Sequence, residues 1–263
     1  MLHGMDAICD DLAAEHADLD RIVAALDDAA WDTPTPAAGW MVRDQISHLW
    51  FFDQRAALAL TDPDAFAADA KALLAGGGTD ASIAPGRAIS PGELLAAWRA
   101  DRESLIALAR TIDPSVRVPW YGPAMAARSF ITARLMETWA HGQDVVDAVG
   151  ASRPPSARLR HVAHIGVRAR PFSYAINERP LPPVDVYVGL DAPDGSTWEW
   201  NESDVDRVTG PALDFCLVVT QRRHLDDVAL TIEGPAATEW MSFAQAFAGP
   251  PGGGRTAGQF TDR

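Results

Sequence analysis

Along the first 150 residues, four stretches place apolar side chains at helical spacing, and after them the period changes. No other feature constrains the fold as much, because a chain cannot serve both periods in one element. From Met5 to Ala30 the apolar set is Ile8, Leu12, Leu19, Ile22, Val23 and Leu26, with Asp and Glu between them. Trp31 to Gly39, with Pro34 and Pro36, interrupts the pattern. A second helix is expected from Met41 to Thr61, striped by Val42, Ile46, Leu49, Phe52 and Leu58, and a shorter one from Asp64 to Ala75. Ser90-Pro91-Gly92-Glu93 reads as a helix start: a serine cap, proline in the first turn, and a glutamate three residues on. This third long helix is expected to reach Ile112, where Asp113-Pro114 stops it. Val116 to Gly122 then reads as an extended connection with Trp120 and Tyr121 exposed. The fourth long helix spans Pro123 to Val149. Four long helices with moderate connections predict an all-α four-helix bundle.

Gly150-Ala151-Ser152-Arg153-Pro154-Pro155 marks the change. Ala157 to Ala175 is expected as helix and Val184 to Leu190 as strand. Ala192 to Ser196 reads as a hairpin turn and Thr197 to Trp200 as the returning strand. Val205 to Thr209 and Val228 to Glu233 are further strand candidates. Helices are expected over Ala212 to Arg222 and Pro235 to Phe247. The predicted organisation is a helical bundle over 1–150, a linker at 151–156, a small C-terminal α+β domain over 157–248 and a flexible tail over 249–263. The stretch from Gly76-Gly77-Gly78 through Pro85-Gly86 reads as a flexible loop. It lacks both the Gly-Lys-Ser/Thr ending and the preceding strand of a phosphate-binding loop.

Composition removes several function classes. With 36 acidic against 22 basic residues the formal charge is −14. That argues against nucleic acid or an anionic membrane as partner, since either needs a cationic face. No stretch approaches the roughly 20 apolar residues of a membrane span. The first residues lack a basic region followed by an apolar run, so a soluble, cytoplasmic protein is expected. Lys71 is the sole lysine, so a Schiff-base mechanism would have to use it. Cys9 and Cys216 are far apart and in no CxxC pattern, which suits two reduced thiols.

Within the fourth helix, Glu137 and His141 stand at i and i+4 and share a face. Such a pair can give a divalent metal two ligands, and it can equally be a hydrogen-bonded pair on a solvated face. Asp144, three residues on, lies near the same face and is a candidate partner for a ligand histidine. His48 sits at the edge of the second helix's apolar stripe and can point into the bundle, where metal sites are built from facing side chains. Two histidines and one carboxylate, with coordination positions open, make a catalytic ligand set for zinc or another divalent ion. His16, His161, His164 and His224 have no such partners in sequence.

Thr35-Pro36-Ala37-Ala38-Gly39-Trp40-Met41-Val42-Arg43-Asp44, followed by Ile46-Ser47-His48-Leu49, resembles the second-helix signature of the DinB-like family in its mycothiol-dependent maleylpyruvate isomerase branch. Glu137 to Asp144 resembles that family's later Glu-and-His helix. The resemblance implies metal ligation by His48, Glu137 and His141. Gly210-Pro211-Ala212 resembles the entry to a helix of the isomerases' second domain, which ends in an arginine tied to substrate or thiol handling. Counting along this chain puts Arg222 there, with Arg223 adjacent. The implied function is metal-dependent thiol chemistry, isomerase or S-transferase, on a small organic acid or electrophile. Zinc is the leading metal and mycothiol the expected thiol. Partners would be a small-molecule substrate and a low-molecular-weight thiol, with a homodimer left open. The Arg170 to Tyr174 segment and the Gln221-Arg222-Arg223-His224 ending depart from the isomerase pattern. A non-catalytic metal-binding or ligand-binding protein and a metal-dependent hydrolase therefore stand as alternatives.

Overall fold

The computed structural model describes residues 4–76 and 78–260, and the chain forms two compact units, Met1–Arg153 and Pro154–Arg263. Gly77 of the expected glycine loop, and the last three residues of the expected tail, lie outside the described residues.

In the first unit the four long helices are α1 (Met5–Val23), α2 (Val42–Thr61), α5 (Pro91–Ala109) and α6 (Ala127–Val149). Between α2 and α5 come α3 (Pro63–Ala75) and the single turn α4 (Ala84–Arg87). The helices form where periodic apolar residues have something to bury against. Leu19, Val23, Trp31, Val42, Ile46, Leu49, Leu94, Trp98 and Val145 make one contiguous core. Helix α2 packs on α5 and α6, and α1 on α6 and α5. The Ser90 cap of α5 is as read: its Oγ accepts from Glu93 N–H and the Glu93 carboxylate accepts from Ser90 N–H at 2.9 Å.

Several boundaries move for identifiable reasons. Helix α1 ends at Val23 instead of Ala30, and a short 3-10 turn over Ala30–Asp32 seats Trp31 in the core. Helix α6 starts at Ala127 instead of Pro123. The residues before it form a two-stranded ribbon, β1 (Arg117–Val118) with β2 (Met125–Ala126), that uses their backbone groups. Trp120 and Tyr121, expected exposed, are half-buried in an aromatic cluster. Trp120 stacks on Phe66 at 5.3 Å between centroids, and Tyr121 meets Phe52 edge-on at 5.5 Å. The aromatic faces of α2 and α3 outbid solvent for them.

The expected loop before α5 is ordered structure: a 3-10 turn over Gly78–Ser82, then α4. Ser47 of α2 holds it, donating from Oγ to Ser82 O at 2.7 Å and accepting from Gly86 N–H at 3.0 Å. A Cβ on Gly86 would lie 2.4 Å from Ser47 Cβ, so this approach of backbone to helix requires glycine.

The second unit begins with two helices where one was expected, α7 (Leu159–Arg168) and α8 (Arg170–Ile176). Pro171 has no N–H to continue the ladder, so α7 stops at Arg168 and the chain restarts as α8 after Ala169. Strands β3 (Tyr187–Asp191) and β4 (Thr197–Trp200) form the predicted antiparallel hairpin. β5 (Arg207–Pro211) pairs parallel with the other edge of β3, and β6 (Thr231–Glu233) pairs antiparallel with β5. The sheet order is β4-β3-β5-β6. Helix α9 (Ala212–Val219) follows β5 and packs on α7, and α10 (Pro235–Met241) follows β6. The N-terminal helical bundle and the small C-terminal α+β unit are both as expected. From Gly249 to Phe260 the described chain has no helix or strand, but Gly252 N–H donates to Gln245 Oε1 at 3.0 Å and Gly258 N–H to Asp227 at 2.8 Å. No helix among the described residues is long and apolar enough to cross a membrane.

Candidate metal centre

Helix α2 presents His48 and helix α6 presents Glu137 and His141, and one ligating atom from each lies within 4.8 Å of the other two. His141 Nε2 and Glu137 Oε2 are 3.4 Å apart, close to the ~3.3 Å between neighbouring donors on a tetrahedral ion. The i, i+4 register of α6 sets that distance locally. His48 joins them because α2 and α6 pack face to face. The two imidazole centroids are 4.4 Å apart.

Each histidine is held through Nδ1. His141 Nδ1 lies 2.6 Å from Gln45 Oε1, and His48 Nδ1 lies 2.8 Å from Ser82 Oγ. An imidazole whose Nδ1 donates to an oxygen presents Nε2 for ligation. The surroundings are apolar. Trp40 lies nearly parallel to His141, at 6.0 Å and 16°, and 5.1 Å from His48. Phe52 lies 4.6 Å from His48 and connects the centre to the cluster of Phe66, Trp120 and Tyr121. Burial pushes the Tyr121 phenol up to about 12, so it remains protonated at neutral pH.

His48, Glu137 and His141 thus come together. Asp144 is buried, but the partner of His141 Nδ1 is Gln45 of the facing helix. Sequence reasoning missed Gln45, Ser82 and Trp40. Gln45 stands three residues before His48, hence on its face of α2, and that spacing was a usable signal. Ser82 lay within the glycine-rich stretch, where nothing marked it.

Arg222 and Arg223 belong to the second unit. Arg222 does not end a helix as expected: α9 closes at Val219, and a Schellman turn follows. Gln221 takes the left-handed position, φ 60°, donating to Val218 O, and Arg222 N–H donates to Leu217 O at 2.7 Å. The Arg222 side chain is half-buried and donates from Nη1 to Thr220 O at 2.6 Å. Arg223 is buried, with its guanidinium 3.8 Å from the Phe260 ring centroid. Arg223, His224 and Arg255 line a recess of about 280 Å³ in this unit.

A four-helix core with two histidines and a glutamate converging between facing helices, followed by a small mixed sheet with its own helices, defines the DinB-like class of two-unit proteins. Within that class the family is specific. Residues 12–146 match the family model described as the mycothiol maleylpyruvate isomerase N-terminal domain, and the chain belongs to this family. It is 46% identical over 248 residues to Rv0036c, an uncharacterized protein of Mycobacterium tuberculosis strain H37Rv, covering 93% of this chain and 96% of the relative. An uncharacterized protein of the CDC 1551 strain matches equally. The crystal structure of the mycothiol-dependent maleylpyruvate isomerase superposes with a TM-score of 0.60 at 16% identity, covering 89% of this chain and 97% of that one. A mutant of the same isomerase gives 0.60 with coverages of 84% and 90%.

Proposed function

We propose that the chain is a metal-dependent enzyme of thiol chemistry. It would use a low-molecular-weight thiol, mycothiol first, on a small organic acid or electrophile, by isomerisation or S-transfer. The observation that carries this reading is the convergence of His48, Glu137 and His141, with both imidazoles held through Nδ1. Family membership supports the thiol, and the solved neighbours are described as mycothiol-dependent isomerases.

The donor set suits a divalent ion, zinc before magnesium or calcium, because two imidazoles and one carboxylate are softer than an all-oxygen cage. His48, Glu137 and His141 would hold it. When bound, the ion supplies stabilisation of a thiolate at neutral pH. The chain's own groups do the rest. Trp40 and Phe52 flank the imidazoles with apolar rings, which keep water from competing and suit a flat, unsaturated substrate. Arg222 is proposed as the catalytic arginine that grips a carboxylate of the substrate or thiol, with Arg223 as a second thiol contact. In a chain of net charge −14 an acid needs such a counter-charge, and guanidinium offers it in bidentate form.

The test combines metal analysis with assays. The purified protein should carry about one divalent ion per chain, the three-ligand zinc stoichiometry. His48→Ala or His141→Ala should lower that occupancy sharply. Mycothiol should raise the melting temperature of the zinc-loaded protein, and a panel of cis-unsaturated diacids and alkylating electrophiles should separate isomerase from S-transferase. Arg222→Lys should weaken ligand binding by about 1–3 kcal/mol with metal content unchanged. Wild-type occupancy in His48→Ala, or no response to mycothiol, would sink the reading.

A further inference from the structure

We propose that Gln45 and Thr35 are positioning residues for the metal centre, setting the tautomer and ring orientation of His141 through a chain of directed hydrogen bonds. The proposal rests on the reading of His48, Glu137 and His141 as ligands.

The chain starts in the turn before α2. Thr35 N–H donates to Trp40 O at 2.7 Å and Gly39 takes φ 79°, which closes residues 35–40 into a tight loop. Pro34 and Met41 bridge at its base. The Thr35 hydroxyl donates to Trp40 O at 3.0 Å, and its oxygen accepts from Gln45 Nε2 at 2.9 Å. That contact orients the amide, so Oε1 is the atom facing His141 Nδ1 at 2.6 Å. A carbonyl oxygen can only accept, so Nδ1 carries a proton and Nε2 is the nitrogen turned toward Glu137, 3.4 Å from its Oε2, and left for the ion. A flipped amide would turn the Thr35 hydroxyl away from Trp40 O and forfeit a bond of the chain. Gln45 is fully buried, so no water competes for its amide.

The same turn also delivers Trp40 against both imidazoles. One local structure therefore supplies a wall of the site and, through Gln45, the orientation of a ligand 96 residues away from that glutamine in sequence. The Thr35-to-Trp40 signature then has a physical purpose beyond starting a helix: it commits His141 to Nε2 ligation before any ion arrives, which lowers the reorganisation needed on binding.

The test uses the full chain and four variants: Gln45→Leu, Gln45→Glu, Thr35→Val, and His141→Ala as reference. Zinc affinity is read by competition with a chromophoric chelator. The His141 tautomer is read in the metal-free protein from its ring ¹⁵N shifts, assigned with His141→Ala. Gln45→Leu should weaken zinc binding by about 10–100-fold, as loss of a ligand's outer partner does, and Thr35→Val by less. Gln45→Glu keeps the acceptor and should hold zinc at least as well as the native residue. Nδ1 should carry a proton in the native chain, whatever the state of Nε2 beside Glu137, and lose that preference in Gln45→Leu.

A role in packing alone predicts the opposite order, with the apolar Leu tolerated and the buried Glu harmful. Native zinc affinity and an unchanged tautomer in Gln45→Leu, with binding lost in His141→Ala, would overturn the positioning role while leaving the metal centre standing. No zinc binding by the native chain would overturn both. If Gln45→Leu does not fold, Thr35→Val and Gln45→Glu decide between the two orders.

Discussion

Inside the helical unit, Asp53 of α2 and Arg134 of α6 meet at 3.0 Å with almost no exposure, and Trp98 of α5 donates to the same carboxylate at 3.2 Å. In the second unit, the buried carboxylate of Asp206 instead accepts from the backbone N–H groups of Ala236 and Ala237, at 2.7 and 3.2 Å, at the start of α10. Helices use most of their backbone groups internally, so the Asp53 carboxylate on an inner helix face takes its partners from side chains of other helices. The second unit has turns and strand ends with backbone groups to offer. At these two carboxylates, buried polarity ties α2 to α5 and α6 in the first unit and fixes the start of α10 in the second. The first pattern suits the proposed metal centre, whose candidate ligands come from the same two helices, α2 and α6, that the Asp53–Arg134 pair locks together.

The largest effect should come from breaking that lock. Arg134→Ala leaves Asp53 buried without its counter-charge and should cost about 3–5 kcal/mol in denaturant unfolding. Replacing both residues with apolar ones of similar volume should recover most of the loss. If the single substitution cost no more than a capping change in the second unit, the contrast between the units would fail.

A smaller effect is expected from pH. His16 is fully buried against Trp98, and neither ring nitrogen has a hydrogen-bond partner among the described residues. Burial first, then the nearby Arg102 and Arg134 charges, hold its imidazole well below the ordinary histidine value. The unfolded chain therefore takes up the proton first, near pH ~6.5. Stability is complete above that pH and falls as pH drops toward the folded value, by up to about 1.4 kcal/mol per unit. Denaturation of the helical unit between pH 7 and 5 should show this slope, and His16→Met should flatten it. An unchanged slope would remove His16 as its source.

The smallest effect concerns the second unit. Asp206→Ala should cost about 1 kcal/mol, the usual loss of a helix cap, and Asp206→Asn much less. Hydrogen exchange should quicken at Ala236 and Ala237 while α2 and α6 keep their protection. Spread of the effect into the first unit would mean the two networks are not separate.

Much of this was legible in the chain. The apolar stripes of Met5–Val23, Val42–Thr61 and Ala127–Val149 were visible because helical period is local. So were the Ser90 cap, the hairpin through residues 192–196, and the common face of Glu137 and His141. Where reading failed, the cause was a competing contact made at a distance. Trp120 and Tyr121 looked exposed because Phe66 and Phe52 are far from them in sequence. The glycine-rich stretch looked like a linker because Ser47, which holds Ser82 and Gly86, lies 35 and 39 residues earlier.

The sequence by itself determined the four long helices, the Ser90 cap, the β3–β4 hairpin, the candidate ligand types and the family. Each depends on residues a few positions apart, whose spacing in a helix or strand is set by backbone geometry alone. Tertiary structure decided that His48 faces Glu137 and His141, and that Gln45 and Ser82 hold the imidazoles by Nδ1. It also decided that Arg222 sits in a turn beyond α9 instead of at its end. Those choices follow from which helix faces and turn backbones give up water for one another, and that is settled only when the whole core packs.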